Sequence, residues 1–344
     1  MTFKPKNTLL AASVAAMVVM LGSQAQAQQR YTVGSLAEGT TPFIVNTAWA
    51  SAINKYMPGH KVSVSAVGAA TKHSILVAQG KMDFSMYAPI QYRLLYKQIG
   101  PFKKITNGPE LTEKISQLFS YPIGSYHAVV YESSGIKTFA DIKGKKVFLG
   151  PPAGIATRNT KLIIDAMTGY QPGKDFEQVK MGWSAAAQAF QDRKIDVWIS
   201  VTTSPSPSVS QLTLSNKIRL LSLDKSKFDH PSWKKYISQP GRNMATIDPD
   251  AYGPNMTNTE PVLVTGAVVG LAVRSDMDEE VVYNMMRAFW DHLDEVHAMA
   301  SFMGKTINLE SAVESLAHPV HPGALRFYKE KGIELEIMDL RPKK

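Results

Sequence analysis

Apolar and polar positions along this chain alternate between a period near two and a period near 3.6, and the alternation repeats. Residues 31–35 read as a strand running into a turn. Pro42 suits the first turn of a helix that carries Ile44, Thr47, Ala48, Ile53 and Tyr56 and stops at Pro58-Gly59. Residues 61–67 alternate strictly and read as a second strand. Residues 68–73 form a turn, followed by a short helix through Ile75, Leu76 and Ala78 that ends at Gly80. Residues 82–87 form a third strand. Such a βαβαβ order predicts a mostly parallel sheet with helices on its faces. Ligands of such sheets sit at the carboxyl ends of the strands. Ser35, Thr40, Thr41, Thr71, His73 and Tyr87 all fall just past predicted strand ends.

A β-rich run over 115–131, interrupted at Pro122 and Gly124, leads to a second unit. Its centre is the stretch 145–167. Val147, Phe148 and Leu149 form a buried strand, residues 150–154 a turn with two Pro and two Gly, and a helix starts at Ala156 or Thr157. Strands at 176–181, 196–201 and 218–223 and helices at 184–191 and after the Pro-rich break at 204–208 complete the unit. Residues 224–260 read as irregular. Residues 261–273 are strand-like but broken by Gly266 and Gly270. Residues 278–300 form one amphipathic helix, with Val282, Met285, Met286, Phe289, Leu293, Val296 and Met299 on one face. The two βα units are alike in kind, with no tandem repeat in sequence.

The first 27 residues stand apart. Lys4 and Lys6 precede an uncharged run from Leu9 to Leu21, too short for a typical membrane span. Ala25-Gln26-Ala27 is a small-x-small cleavage signal, so this segment is expected to be a secretory signal peptide cut after Ala27. The chain has no Cys, which excludes a lipid-anchored lipoprotein and any disulfide. Stability must come from a core, and 44% hydrophobic residues supply one. Without Lys4 and Lys6, 36 Lys and Arg face 29 Asp and Glu, a surplus of +7. A basic surplus favours anionic ligands or a membrane surface, or is only a solvated exterior. No nucleic-acid-binding motif accompanies it.

The turn at 150–154 opens a helix, so backbone N–H groups and the helix dipole favour an anion there. Arg158 is the candidate partner for a carboxylate, since a guanidinium binds both oxygens; the alternative is a surface arginine. Thr157 and Asn159 donate to the same anion or cap the helix. Thr40 and Thr41 carry the same two readings. Trp183 walls the cleft or packs in the core. Thr202 and Thr203 donate from the opposite wall or are loop residues. His73 and Tyr87 are weaker candidates. Three enzyme signals are poor. Gly182-Trp183-Ser184-Ala185-Ala186 lacks the last Gly of a nucleophile elbow. His318 and His321 lack further zinc ligands, and His292 and His297 do not share a helix face. A secreted serine or metal-dependent hydrolase is therefore the second reading, behind a non-catalytic receptor.

Several segments together resemble the TAXI family of solute receptors, the periplasmic binding components of a class of TRAP transporters. They are Gly135-Ile-Lys-Thr-Phe-Ala-Asp-Ile-Lys-Gly-Lys-Lys-Val147, Gly150-Pro-Pro with Ala156-Thr-Arg-Asn159, Ala186-Ala-Gln-Ala-Phe190 with Lys194-Ile-Asp196, Pro205-Ser-Pro-Ser-Val209, and His321-Pro-Gly-Ala-Leu-Arg-Phe-Tyr-Lys-Glu-Lys-Gly332. The last is the longest and most specific. The turns at 37–43 and 68–73 depart from the family's Gly-rich patterns, which leaves the ligand open. The resemblance implies an α/β, two-lobed periplasmic binding protein fold of the type II-like kind. Each lobe would be a mostly parallel sheet flanked by helices, with the ligand cleft between them. Lobe 1 would hold 28–127 plus 260–344, and lobe 2 would hold 128–259. It also implies a periplasmic protein, expected to be a monomer, that needs no cofactor and catalyses nothing; no metal ligands are assigned, and a metal ion's part in binding stays open. Such a protein encloses a small organic anion, an amino acid or dicarboxylate, by hinge closure and delivers it to TRAP transporter membrane subunits.

Overall fold

The computed structural model describes residues 1–2, 28–152 and 154–341. The expected signal peptide therefore lies almost wholly outside the described residues. Strand β1 (Gln29–Gly34) is followed by helix α1 (Thr41–Tyr56), β2 (His60–Ser65), α2 (Ala70–Ala78), β3 (Phe84–Tyr87), α3 (Pro89–Tyr96) and α4 (Gly108–Glu113). The long β4 (Ile115–Tyr131) leads to β5 (Lys146–Phe148), α5 (Ile155–Thr168), β6 (Glu177–Val179), α6 (Trp183–Gln191), β7 (Val197–Thr202), α7 (Pro207–Thr213) and β8 (Ile218–Leu220). Helix α8 (Pro231–Ile237) and strands β9 (Arg242–Ile247) and β10 (Val262–Arg274) follow. The chain closes with α9 (Glu279–Trp290), α10 (Leu293–Ala298), α11 (Met303–Thr306), α12 (Leu309–Val313) and α13 (Pro322–Glu330).

The strands share one sheet in the order β2-β1-β3-β10-β4-β7-β5-β6, with β8 also on β4 and β9 also on β10. The trios β2-β1-β3 and β7-β5-β6 are parallel, as βα alternation requires. They do not make a mostly parallel whole. β4 and β10 run antiparallel to each other and to their neighbours and join the trios through the middle. The sheet is mixed because these two long strands belong to both halves.

Four sequence expectations change for physical reasons. Pro122 and Gly124 do not break β4. Gly124 pairs with Ala267 and Pro122 with Val268, so Ile123 is the extra residue of a bulge, where a proline loses no ladder bond. Gly266 and Gly270 do not break β10 either. They let neighbours close in: a Cβ on Gly270 would lie 2.2 Å from the Phe119 carbonyl oxygen, and one on Gly266 2.3 Å from Asn243 Oδ1. The stretch 224–260 is not irregular, since it holds α8 and β9. The helix expected over 278–300 is split at Asp291-His292. There the His292 ring leaves the helical line to stack on Tyr56, with centroids 3.4 Å apart, and Met299 is exposed.

The first half is built on Trp49 of α1, which packs against Phe84, Phe119 and Phe289 at centroid distances of 5.5–6.0 Å. Burying such a side chain contributes roughly 2–3 kcal/mol. A second cluster, around Phe148, Phe190, Trp198 and Tyr252, fills the space under α6 and α7. The motif at 321–332 serves packing. His321 caps α13 by accepting from the Gly323 N–H (3.2 Å), and its Nε2 meets the Met277 carbonyl at 3.0 Å. A Cβ on Gly323 would come within 2.5 Å of the Glu279 carbonyl oxygen, so glycine is what lets α13 dock on α9.

Candidate functional site

The two parallel trios run in opposite directions, and their carboxyl ends face each other across the middle of β4, where six helices begin: α1, α2, α3, α5, α6 and α7. None of the six has a side-chain cap bond to its first turn. Of the helices that begin elsewhere, α8, α9, α12 and α13 each have one, and the short α4, α10 and α11 do not. The first N–H groups of a helix have no intrahelical acceptor, so the uncapped starts leave donors for something else.

Four of these starts surround a pocket of about 650 Å³ of atom-free space, counting its mouth. Ala69, Ala70 and Thr71 come from α2, Ala88 and Gln91 from α3, Gly154, Ile155 and Ala156 from α5, and Trp183 from α6. The floor is sheet: Met86 of β3, Ile123 and Tyr126 of β4, Val201 of β7, and Ala267 and Val269 of β10. The bulge in β4 is what brings Ile123 to this surface. Arg242, at the start of β9, lines it as well.

Arg242 is the only formally charged side chain among the described lining residues. Its Nε is buried and has no partner, and no carboxylate pairs with it among the described residues. Its guanidinium lies 5.4 Å from the Tyr236 ring centroid. A buried donor without a partner is costly unless something occupies the space in front of it. Gln91 is the other lining side chain with an orphan atom. Its amide nitrogen donates to the Ala70 carbonyl (3.0 Å), which leaves the buried Oε1 without a donor.

The sequence candidates divide into those near this pocket and those used by the fold. Trp183 lines the pocket and packs edge-on against Phe148 at 5.5 Å. It also lines an adjoining pocket with Thr40 and Thr202. There Thr40 Oγ1 donates to the Ala37 carbonyl at 2.6 Å, and Thr202 Oγ1 donates to Ser206 Oγ at 3.1 Å. Thr203 is buried beside Pro205. Arg158 lines an outer groove that meets the pocket at Gly154, and its Nη1 donates to Gln239 Oε1 at 3.1 Å. Burial, with the neighbouring Arg242 charge adding, lowers the Arg158 pKa from the usual arginine value.

Thr157 donates its hydroxyl to the Pro151 carbonyl at 2.7 Å and so ties the turn to the helix. Gly150 in that turn has φ +119, where a side chain would be strained and would press on Thr157. Asn159 is fully buried and donates Nδ2 to the Tyr126 hydroxyl at 3.0 Å, which positions a lining residue from behind. His73 is not in a turn. It lies inside α2, its Nε2 2.7 Å from the Val67 carbonyl and its ring against Gly34, and burial lowers its pKa. Ser35, Thr41 and Tyr87 are buried with orphan hydroxyls but do not line the pocket. Burial pushes the Tyr87 pKa well up.

The enzyme alternatives gain nothing from the geometry. Ser184 is exposed on the first turn of α6. His318 reaches Glu113 at 3.5 Å while His321 caps α13, so the two do not converge. His292 and His297 each face a backbone carbonyl.

Sequence reading missed Arg242 and Gln91. Arg242 follows Gly241, which has φ +71, within a stretch whose Pro, Gly and Asn content reads as loop. Its one signal is β9 itself, a weak alternation from Arg242 to Ile247.

A protein of Bordetella bronchiseptica RB50 superposes with a TM-score of 0.50 at 13% identity, over 88% of this chain and 98% of that one. The periplasmic aliphatic sulphonate binding protein SsuA of Escherichia coli gives 0.44 at 16% identity over 89% and 88%. A TRAP periplasmic solute binding protein of Shewanella oneidensis with bound succinate gives 0.45 at 12% identity over 90% and 88%. At 13% identity the Bordetella bronchiseptica match speaks of the fold alone. The model of the NMT1-like family, by contrast, matches residues 33–332, and with both halves of the sheet and the pocket inside that span, the chain belongs to the NMT1-like family.

Proposed function

We propose that the protein is a periplasmic solute receptor that encloses a small organic anion between two lobes and releases it unchanged. The observation that carries this reading is Arg242, an unpaired guanidinium with a buried orphan donor at the wall of an otherwise uncharged pocket. The uncapped starts of α2, α5 and α6 add a favourable field for negative charge. Binding residues on this reading are Arg242, Gln91, Thr71, Tyr126 and Trp183 with the backbone at 155–157. Arg158 supports them from the outer groove, and Thr40 and Thr202 line the adjoining pocket.

The proposed lobes are 28–127 with 260–344, and 128–259, and the pairing of β9 with residues 262–267 carries the second boundary a few residues into β10. The crossings between them lie on β4 and β10, where Gly124 pairs with Ala267 beside Gly266. Closure about those crossings would exclude water from the anion and strengthen each of its contacts. The resemblance to TAXI receptors assigns delivery to a TRAP-type membrane transporter. On this reading the segment ending at Ala27 would export the protein to the periplasm.

A thermal-shift screen against organic anions, with the solutions afterwards analysed for product, tests the reading. The expected result is a raised melting temperature with at least one anion and no product. Turnover of a stabilising compound would make the protein an enzyme.

A further inference from the structure

We propose that the pocket selects a monoanion with a compact hydrocarbon body, in preference to an amino acid, a dicarboxylate or a sugar acid; this rests on the receptor reading above. The lining supplies one cation, Arg242, and no Asp or Glu among its described residues. An amino acid would bring an ammonium group into a desolvated site with no carboxylate to meet it, and beside a guanidinium that repels it. A dicarboxylate would bring two charges to one lining cation. Arg158 faces the outer groove and is held by Gln239.

A sugar acid would bury several hydroxyl groups against Ala70, Met86, Ile123, Val201 and Val269. Beyond the backbone N–H donors of the helix starts, which offer no acceptor for a ligand hydroxyl proton, the buried lining side chains leave two atoms open. Gln91 Oε1 is one orphan acceptor, and Arg242 Nε is an orphan donor that the anion itself would take. The Tyr126 hydroxyl accepts from Asn159 and keeps its own proton to donate, so it serves the anion rather than a ligand hydroxyl proton. Each ligand hydroxyl buried without a partner lowers affinity roughly tenfold or more. A hydrocarbon body gains affinity on the same walls, because small side chains at 69, 70, 88, 156 and 267 leave room beside the apolar floor.

The test is calorimetry of the mature protein with two sets of probes. Phenylacetate, cyclohexanecarboxylate and 4-methylpentanoate represent the proposed class, and succinate, glutamate and galacturonate the rejected ones. The expected result is that at least one of the first set binds about 30-fold or more tighter than every member of the second, with a negative heat-capacity change. Arg242→Gln should weaken that probe at least about tenfold, while Ala156→Asp, which puts a carboxylate on the apolar wall, should do the same and leave the fold intact by circular dichroism. Tighter binding of succinate, glutamate or galacturonate overturns the proposal and leaves the receptor reading standing. No binding by either set overturns the proposal, and the receptor reading is then decided by the wider thermal-shift screen.

Discussion

Two side chains carry most of what can be tested at the scale of single residues. Arg242 should dominate anion binding. Replacing it with Gln removes a charge from a desolvated contact and should weaken binding by roughly 2–5 kcal/mol. The empty protein should lose no stability, because the guanidinium has no ion pair to break and an orphan donor to relieve. Arg158→Ala should weaken binding by less than about tenfold, near 1.4 kcal/mol, since it stands in the outer groove. Titration calorimetry on both variants ranks them, and the opposite order would return the anion to the start of α5.

His127 makes a prediction about pH. It is fully buried in β4, and burial pulls its pKa down to about 4. Its Nδ1 lies 3.0 Å from the Ser125 carbonyl and must donate, so Nε2 accepts from the Tyr252 hydroxyl at 2.7 Å. That hydroxyl oxygen in turn accepts from the Ser206 N–H at 3.0 Å. The folded state holds the ring neutral, whereas the unfolded chain takes a proton near pH 6.5. Stability from this group is therefore complete above pH 6.5 and is lost as the pH falls toward 4, by about 3 kcal/mol. His127→Gln should flatten that part of the stability profile in urea melts. An unchanged slope would mean that the ring is already charged or solvated. His127 was not legible in the sequence, because nothing local marks a histidine whose side-chain partner, Tyr252, lies 125 residues away.

Among the elements, the strands and helices that alternate with a clear period were readable in order. The errors fall where a neighbour across the sheet decides the outcome. Pro122 and Gly124 look like breaks until β10 supplies a partner that accommodates a bulge at Ile123. Residues 242–247 look like loop until β10 gives them a ladder. Gly124 shows what such a crossing requires. It has φ +103, and a Cβ there would lie 2.0 Å from the Thr202 carbonyl oxygen. Gly124→Ala combines left-handed strain of about 1–2 kcal/mol with overpacking of about 1–3 kcal/mol. A fall in melting temperature of several degrees is expected; an unchanged one would show that β4 and β7 do not meet as closely as described. The site was legible only where it coincides with a helix start. The turn before α5 and the position of Trp183 came from local pattern, whereas Arg242 reaches the pocket only through the β9–β10 pairing.

At the scale of the whole molecule, both halves meet in two antiparallel strands. Such an arrangement permits rotation of one half on the other with few contacts to break. Small-angle scattering with and without a stabilising anion should give a smaller radius of gyration for the bound protein. An identical profile would point to a preformed, rigid pocket. Each trio of parallel strands has its carboxyl ends at one side, which follows from the βα alternation in the sequence, and the two sides face each other across the middle of β4. The mixed centre of the sheet does not, because no local pattern records that β4 and β10 each belong to both halves.

The central claim is reversible capture of an organic anion at Arg242, without chemistry. Titration calorimetry of the mature protein and of Arg242→Gln with the same stabilising anion, followed by mass spectrometry of the recovered ligand, tests it most directly. The account predicts one site per chain in the unmodified protein, binding weakened by roughly 2–5 kcal/mol in the variant, and a ligand recovered with unchanged mass. Equal affinity in the two proteins, or a ligand returned as product, would contradict it.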